Sequence, residues 1–221
     1  VIRFGRKKKN AVRAESVALQ QASDDSFMTV FNLNCFDSVA LVQLRSNHDG
    51  FVSNALAAAA VGHVLGIPLP AIVAGLEAYR SGDGRFQLQR LKSNKGLLIN
   101  DCYNANPESM RAALAAFATM QVRGPKIAVL GDMLELGKRE MAIHRAMGKS
   151  VRAIAGQIQK IILVGSRASQ MQHELPPSMS CLLAQNWQEA QQLLEHELEN
   201  DCLVLVKASH GVHLEKVVKA L

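Results

Sequence analysis

Apolar residues recur in two arrangements in the second half of this chain, and the two alternate regularly. Short apolar runs are typical of buried strands, and longer stretches with apolar residues at helical spacing separate them. The predicted strands are residues 97–101, 126–132, 160–165, 180–184 and 202–206. The predicted helices are residues 107–120, 140–155, 187–198 and one from about 212, with a short helical piece at 168–173. Because single helices connect successive strands, the strands must pair in parallel, which predicts an α/β fold with a doubly wound sheet.

The first 82 residues follow a different pattern. Segments 16–19, 27–31 and 39–42 alternate or run apolar at strand length, and residues 1–4 are a further short strand candidate. Helices are predicted at 53–66 and 70–79, and the sequence Ser-Gly-Asp-Gly at 81–84 is the clearest break in the chain. We therefore expect one domain over 1–82, with an antiparallel part of a sheet and two helices, and a second over 83–221.

Composition narrows the class of protein. With 221 residues, 48% of them hydrophobic, the chain is globular, and no apolar run is long enough to cross a membrane. Cys35, Cys102, Cys181 and Cys202 lie far apart, which argues against a zinc site and for reduced thiols in a cytoplasmic protein. The basic run at 6–13 lacks interleaved aromatic residues, so a solvated loop is favoured over nucleic-acid binding.

Polar side chains follow several of the predicted parallel strands. Asp101, Asp132 and Glu135 supply negative charge there, and Arg167 and Lys207 supply positive charge. The carboxyl ends of parallel strands meet at one edge of a sheet, so these side chains are expected to share a crevice. A crevice with both signs suits a zwitterionic or carboxylate substrate. Any one of these residues, taken alone, is better explained as an ordinary turn residue than as a site residue. The occurrence of several at neighbouring strand ends is what favours a site.

The stretch at 97–110 changes from an apolar strand to a polar turn and then to a helix. Asn106 is a good N-cap, and Pro107 suits the first helical position. The N–H groups of such a helix start favour an anion, and Asp101 is suited to hold a metal or orient a ligand hydroxyl. A polar turn with an ordinary cap is the alternative. The sequence contains no G-x-x-x-x-G-K-[ST] phosphate loop, no G-x-G-x-x-G and no G-x-S-x-G.

Two stretches together resemble the Mur ligases: Asn-Asp-Cys-Tyr-Asn-Ala-Asn-Pro-Glu-Ser-Met at 100–110 and Val-Leu-Gly-Asp-Met-Leu-Glu-Leu-Gly at 129–137. The Tyr-Asn-Ala-Asn-Pro form is similar to the members that join D-alanyl-D-alanine to UDP-N-acetylmuramoyl-tripeptide, whereas related ligases tend to have Tyr-Ala-His. Supporting matches are Ser-Asn-Ala-Leu-Ala-Ala-Ala at 53–59, Gly-Arg-Phe at 84–86 and Leu-Val-Lys-Ala-Ser at 205–209.

The resemblance implies a part of a longer, monomeric, cytoplasmic enzyme of peptidoglycan precursor synthesis. Residues 1–82 would be the last part of its central ATPase domain, and residues 83–221 its C-terminal Rossmann-like domain. The implied reaction is ATP-driven amide synthesis through an acyl phosphate. ATP and Mg²⁺ are the implied cofactors. The phosphate loop and the magnesium ligands would lie upstream of this sequence, so the isolated chain is expected to be inactive.

The resemblance also implies roles for individual residues. Arg85 and Asp101 are the expected catalytic residues. The expected nucleotide contacts are Asn54, Arg85, Asp101, Tyr103 and Asn104. The expected contacts to the incoming dipeptide are Asp132, Glu135, Lys207 and Ser209. No metal ligand is expected within this chain.

Three positions depart from the family pattern. The family usually has Gly-Arg-His-Asn ahead of the alanine-rich helix, where residues 46–51 read Ser-Asn-His-Asp-Gly-Phe. Ala208 stands where the family favours glycine, and His210 where it favours arginine. Two alternatives remain: a ligase of the folylpolyglutamate synthase type, and a non-catalytic nucleotide- or peptide-binding module. The Tyr-Asn-Ala-Asn-Pro motif argues against the first, and the missing phosphate loop favours the second for this polypeptide alone.

Overall fold

The computed structural model describes residues 1–21, 27–45, 49–80, 82–92 and 96–221. The chain divides into two compact units, Val1–Ser81 and Gly82–Leu221. The division falls one residue before the predicted boundary. Of the predicted linker, Ser81 lies outside the described residues, and so do Ser46, Asn47 and His48 from the segment that departs from the family pattern.

In its described residues, the first unit is a three-stranded antiparallel sheet with two helices. Its elements are β1 (Val12–Gln21), β2 (Phe27–Cys35), β3 (Ser38–Leu44), α1 (Asp49–Val64) and α2 (Leu69–Ala78). The strands pair in the order β1-β2-β3. Alternate side chains such as Phe31, Leu33 and Val42 form a core with Leu56 and Ile72 of the helices. The three predicted strands and two predicted helices of this region are confirmed, with wider bounds for the strands.

The strand predicted at residues 1–4 is wrong. Phe4 forms a single isolated bridge to Val12, and the chain turns away at Gly5, whose φ is 132°. Val1 is fully exposed and Phe4 is about half exposed, because a single bridge buries little apolar surface.

Where the structure describes it, the second unit contains a six-stranded sheet and four α-helices. The strands are β4 (Gln87–Arg90), β5 (Gly96–Asp101), β6 (Lys126–Gly131), β7 (Lys160–Val164), β8 (Ser180–Ala184) and β9 (Cys202–Lys207). The helices are α3 (Pro107–Thr119), α4 (Glu140–Ala153), α5 (Trp187–Glu197) and α6 (Glu215–Ala220). The sheet order is β4-β5-β9-β6-β7-β8, with β4 antiparallel to β5 and all other pairs parallel.

Helices cover both faces of this sheet. Leu98, Val204 and Val206 pack in one cluster with Ala190 of α5 and Val217 of α6. The next residues along the strands, such as Ile99 and Leu205, face the opposite side and are also fully buried. Helices α3 and α4 contact each other. The prediction of an α/β fold with a doubly wound, mostly parallel sheet is confirmed.

Two details of the second unit differ from the sequence-based expectation. Strand β4 was not predicted, because Gln-Leu-Gln-Arg has one apolar residue and lies at the sheet edge. The last helix was expected from about residue 212, but a 3₁₀ turn occupies His210–Val212 and α6 begins at Glu215. His213 has a left-handed φ of 63°, which interrupts the helix between the two pieces.

Candidate functional site

The carboxyl ends of three adjacent strands, β5, β9 and β6, meet at one edge of the six-stranded sheet. The strand register sets Lys207 beside Asp101 on one side and beside Leu130 on the other. The segments leaving these strands surround a cleft of about 480 Å³, lined by Tyr103, Asn104, Leu134, Glu135, Ser209, His210 and Gly211. Ligands of open α/β sheets bind outside the carboxyl ends of the strands, so this cleft is the candidate site.

Beneath the cleft, a buried ion pair joins β9 to β5. Lys207 Nζ donates to Asp101 Oδ2 at 2.7 Å and to the Asn104 carbonyl at 3.1 Å. The other Asp101 oxygen, Oδ1, accepts from the Phe86 N–H at 3.0 Å. The Lys207 side chain is only 1% exposed. Both charges are therefore engaged within the protein, and they bind the segments around residues 86, 101 and 104 together.

Arg85 and Tyr103 form a stacked pair. The Arg85 guanidinium carbon lies 4.2 Å from the centroid of the Tyr103 ring, within the range of a cation–π contact. The Tyr103 N–H donates to the Gly84 carbonyl at 2.9 Å. Gly84 has φ +71°, and a Cβ there would lie 3.0 Å from the Tyr103 nitrogen, so this close approach requires glycine. Tyr103 is 53% exposed and presents an aromatic surface at the cleft.

Ser209 connects three of the segments around the cleft. Its hydroxyl accepts from the Leu134 N–H at 2.9 Å and donates to the Ala105 carbonyl at 3.2 Å. Its own N–H donates to the Asp132 carbonyl at 3.0 Å. Ser209 is 4% exposed, so its polar atoms hold the cleft wall in place.

Asp132 is held by the segment that follows β7. Its Oδ1 accepts from the N–H groups of Arg167 at 3.1 Å and Ala168 at 2.7 Å, and its Oδ2 lies 3.3 Å from the Arg167 guanidinium. Arg167 also forms an ion pair of 2.7 Å with Glu140, and these two carboxylates raise the pKa of the Arg167 guanidinium above its ordinary value. A Cβ at Gly165 would lie within 2.6 Å of the Asp132 carboxylate, so glycine is needed at that position.

Glu135 and His210 supply the carboxylate and the imidazole that are exposed in the cleft lining, beside the exposed Tyr103. Glu135 has a left-handed φ of 64°, an uncommon conformation for this residue type that turns the chain at the cleft wall. His210 was assigned no site role from the sequence, where it stands out as a departure from the family pattern, and the structure places it in the lining. Its position directly after Ser209 was the available signal.

The structure gathers most of the sequence-predicted site residues at this edge of the sheet. Tyr103, Asn104, Glu135 and Ser209 line the cleft, whereas Asp101, Asp132 and Lys207 lie in or beneath its walls, and Arg85 lies on Tyr103. Asn54 belongs to the other unit, where it is exposed on α1 and lines a separate cavity of about 430 Å³. The roles assigned to these nine residues stay predictions.

The alanine at 208 is accommodated by a neighbouring glycine. Ala208 is fully buried and has no positive φ, so its methyl group causes no backbone strain. A Cβ added to Gly131 would lie 2.7 Å from the Ala208 Cβ, so the bare Gly131 makes room for it.

The thiols do not add chemistry to the cleft. The four cysteines, all within the described residues, are thiols and not disulfides, and Cys102 is buried with its Sγ donating to the Val206 carbonyl at 3.3 Å. Burial raises the pKa of the Cys102 thiol far above its ordinary value, which keeps it protonated and unreactive.

Among the residues described, no three His, Cys, Asp or Glu side chains come together to hold a metal ion. Within those same ranges, every helix is too short or too polar to span a membrane.

Several known proteins are similar to this chain in sequence and in architecture. The sequence model of the family described as "Mur ligase, glutamate ligase domain" matches residues 84–210. UDP-N-acetylmuramoyl-tripeptide–D-alanyl-D-alanine ligase from Bacillus subtilis is 31% identical over 207 residues, covering 92% of this chain and 44% of that protein. The crystal structure of MurF from Acinetobacter baumannii has a TM-score of 0.82 at 28% identity, covering 99% of this chain and 46% of that one.

A further solved structure, MurF ligase from Thermotoga maritima in complex with ADP, has a TM-score of 0.78 at 23% identity and covers 98% of this chain and 47% of that one. That likeness shows the fold alone. The chain spans less than half the length of each of these three proteins. The family match covers more than half of the chain, and from it we conclude that the protein belongs to the Mur ligase family.

Proposed function

We propose that this chain is the part of an ATP-dependent ligase that receives D-alanyl-D-alanine and joins it to UDP-N-acetylmuramoyl-tripeptide. The observation that carries the proposal is the cleft at the carboxyl edge of the parallel sheet, where Glu135 and His210 lie exposed in one lining. The name of the Bacillus subtilis relative supports the choice of substrates. The Tyr-Asn-Ala-Asn-Pro sequence at 103–107 supports it over a folylpolyglutamate synthase type of ligase.

The proposed reaction forms one amide bond at the expense of ATP. A carboxylate oxygen of the tripeptide attacks the γ-phosphorus, ADP leaves, and an acyl phosphate results. The dipeptide ammonium loses a proton, and the lone pair of the resulting amine attacks the acyl carbon. The carbon–oxygen bond to phosphate then breaks, and the nitrogen loses a second proton to give the amide. Holding the amine next to the acyl carbon supplies much of the rate, because positioning replaces the entropy cost of an encounter in solution.

The residues of the cleft suit a zwitterionic dipeptide. The Glu135 carboxylate would pair with the dipeptide ammonium, and the His210 imidazole would donate to its carboxylate. Asp132, Lys207 and Ser209 would act indirectly by holding the segments of the cleft wall in place, since their polar atoms are already hydrogen-bonded within the protein.

The nucleotide is assigned to the Arg85–Tyr103 pair. The guanidinium held on the Tyr103 ring would supply positive charge to phosphate oxygens, and Asp101 would hold Phe86, the residue after Arg85, through its N–H. Mg²⁺, when bound with ATP, offsets phosphate charge. Its ligands are assigned to other parts of the enzyme, as the family resemblance implies. These substrates make the cytoplasm the proposed location.

Calorimetric titration of the chain with D-alanyl-D-alanine tests the proposal, with L-alanyl-L-alanine as the stereochemical control. Saturable binding of the D,D form is expected. Glu135→Gln and His210→Ala are each expected to weaken it roughly tenfold, the effect of losing one charge-assisted hydrogen bond. The matched variants Glu195→Gln and His196→Ala, which alter exposed residues of α5, are expected to bind like the wild type. Absence of saturable binding, or equal effects of the cleft and control variants, would overturn the proposal.

A further inference from the structure

His144 is a fully buried ionisable residue that the proposed chemistry does not use. It lies in the second turn of α4, with no exposed surface, and was not singled out by any motif in the sequence. Its two ring nitrogens both have backbone partners. Nε2 lies 2.8 Å from the Met133 nitrogen, and Nδ1 lies 2.7 Å from the Glu140 carbonyl oxygen.

These two partners determine the state of the imidazole ring. A backbone N–H can only donate, so Nε2 must be an unprotonated acceptor toward Met133. A carbonyl oxygen can only accept, so Nδ1 carries the proton and donates to Glu140. Both bonds exist together only in the neutral ring with its proton on Nδ1.

The bond to Met133 reaches the wall of the cleft. Met133 N–H is held by His144 and the following N–H, of Leu134, is held by the Ser209 hydroxyl. Glu135 comes next, in its left-handed conformation, and lines the cleft. Two successive amides ahead of Glu135 are thus held by side chains from separate elements.

The first turn of α4 also holds the residue before Met133. Glu140 forms an ion pair with Arg167, whose backbone N–H donates to Asp132. The first two turns of α4 therefore hold the 132–135 segment at two neighbouring points, directly through His144 and through Arg167 from Glu140.

We propose that His144 is a positioning residue that fixes the Met133–Glu135 segment and so sets the Glu135 carboxylate in the cleft. The effect on ligand affinity rests on the proposed function, whereas the effect on the segment itself does not.

Two variants separate positioning from packing. His144→Gln keeps a side-chain oxygen able to accept from the Met133 N–H, and His144→Met fills similar space without a good acceptor. Amide hydrogen exchange at Met133 and melting temperature are measured for both, together with D-alanyl-D-alanine affinity. Val151→Ala, a core truncation in the last turns of α4, is the control that lowers stability without touching Met133.

His144→Met is expected to speed Met133 exchange at least tenfold relative to global unfolding and to weaken dipeptide binding about tenfold. His144→Gln is expected to keep both within about threefold of the wild type, and Val151→Ala to lower only the melting temperature. In wild-type protein, long-range ¹H–¹⁵N correlation is expected to show the proton on Nδ1.

Unchanged Met133 exchange in His144→Met, equal losses in the two His144 variants, or a proton on Nε2 would each overturn the inference. Failure of the wild type to bind the dipeptide would instead count against the proposed function, and the exchange measurement would still decide the role of His144.

Discussion

Replacing Lys207 with methionine tests whether the ion pair beneath the cleft is a buried structural contact. The substitution keeps most of the side-chain volume and removes the ammonium. It removes two hydrogen bonds donated by Lys207 Nζ, one to Asp101 Oδ2 at 2.7 Å and one to the Asn104 carbonyl at 3.1 Å. The Asp101 side chain, 13% exposed, keeps its negative charge with little access to water.

The expected cost follows from leaving one charge of a buried pair behind. Such changes destabilise proteins by about 3–5 kcal/mol, because the remaining ion loses its partner without regaining its hydration. In a unit the size of Gly82–Leu221, each kcal/mol of lost unfolding free energy lowers the melting temperature by about 3 °C. The expected decrease in melting temperature is therefore roughly 9–15 °C.

Tryptophan fluorescence is a suitable assay for this unit. Trp187 is the only tryptophan of the sequence, and it packs against the core of the six-stranded sheet. Its signal during thermal or urea unfolding therefore reports on this unit. Lys138→Met, at an exposed position of a 3₁₀ turn, is the control and is expected to change stability by less than about 0.5 kcal/mol.

A second substitution checks the electrostatic reason. Adding Asp101→Asn to Lys207→Met removes the stranded charge while leaving an oxygen to accept from the Phe86 N–H. The double variant is expected to regain roughly half of the lost stability. If Lys207→Met lay within about 1 kcal/mol of the wild type, or if the double variant were no more stable than the single one, the account of the buried pair would be refuted.

Three local contacts and one activity give further predictions. Gly165→Ala places a methyl group against the Asp132 carboxylate at φ +101° and is expected to cost more than about 1 kcal/mol in urea unfolding. Asn106→Ala removes the cap of α3 and is expected to cost about 1 kcal/mol in the same assay. With a thiol reagent on native protein, partly exposed Cys181 is expected to react first and Cys102 only after unfolding, because burial raises the pKa of the Cys102 thiol. The purified chain is expected to release no phosphate from ATP, and substrate-dependent release would contradict this.

Much of the fold could be predicted because periodicity is a local property. The strands β6, β7 and β9 were found to within two residues, since each is an apolar run that is almost entirely buried. The edge strand β8 was found equally well from its apolar composition, although part of it is exposed. Strand β4 was not predicted, because it is a strand through its pairing with β5 and not through its own composition. The insertion of β9 between β5 and β6 was also not predicted, because connection lengths do not reveal the order of strands in a sheet.

The candidate site was predicted in its location but not in its internal bonding. Polar residues at strand ends indicated the edge of the sheet, and Tyr103, Glu135 and Ser209 do line the cleft there. Whether a polar side chain is available to a ligand or is already hydrogen-bonded within the protein depends on partners far away in sequence. Lys207 bonds to a residue 106 positions away, and Ser209 to one 75 positions away.

The sequence by itself determined most of the elements, the α/β class and the edge of the sheet where the cleft lies, because hydrophobic period and capping act over a few residues. The tertiary structure alone decided that Lys207 and Asp132 are buried supports, that Glu135 and His210 are exposed in the lining, and that His144 reaches the cleft wall. The physical reason is that burial and hydrogen-bond pairing are set by which segments meet in space, and contacts between distant segments leave no period in the sequence.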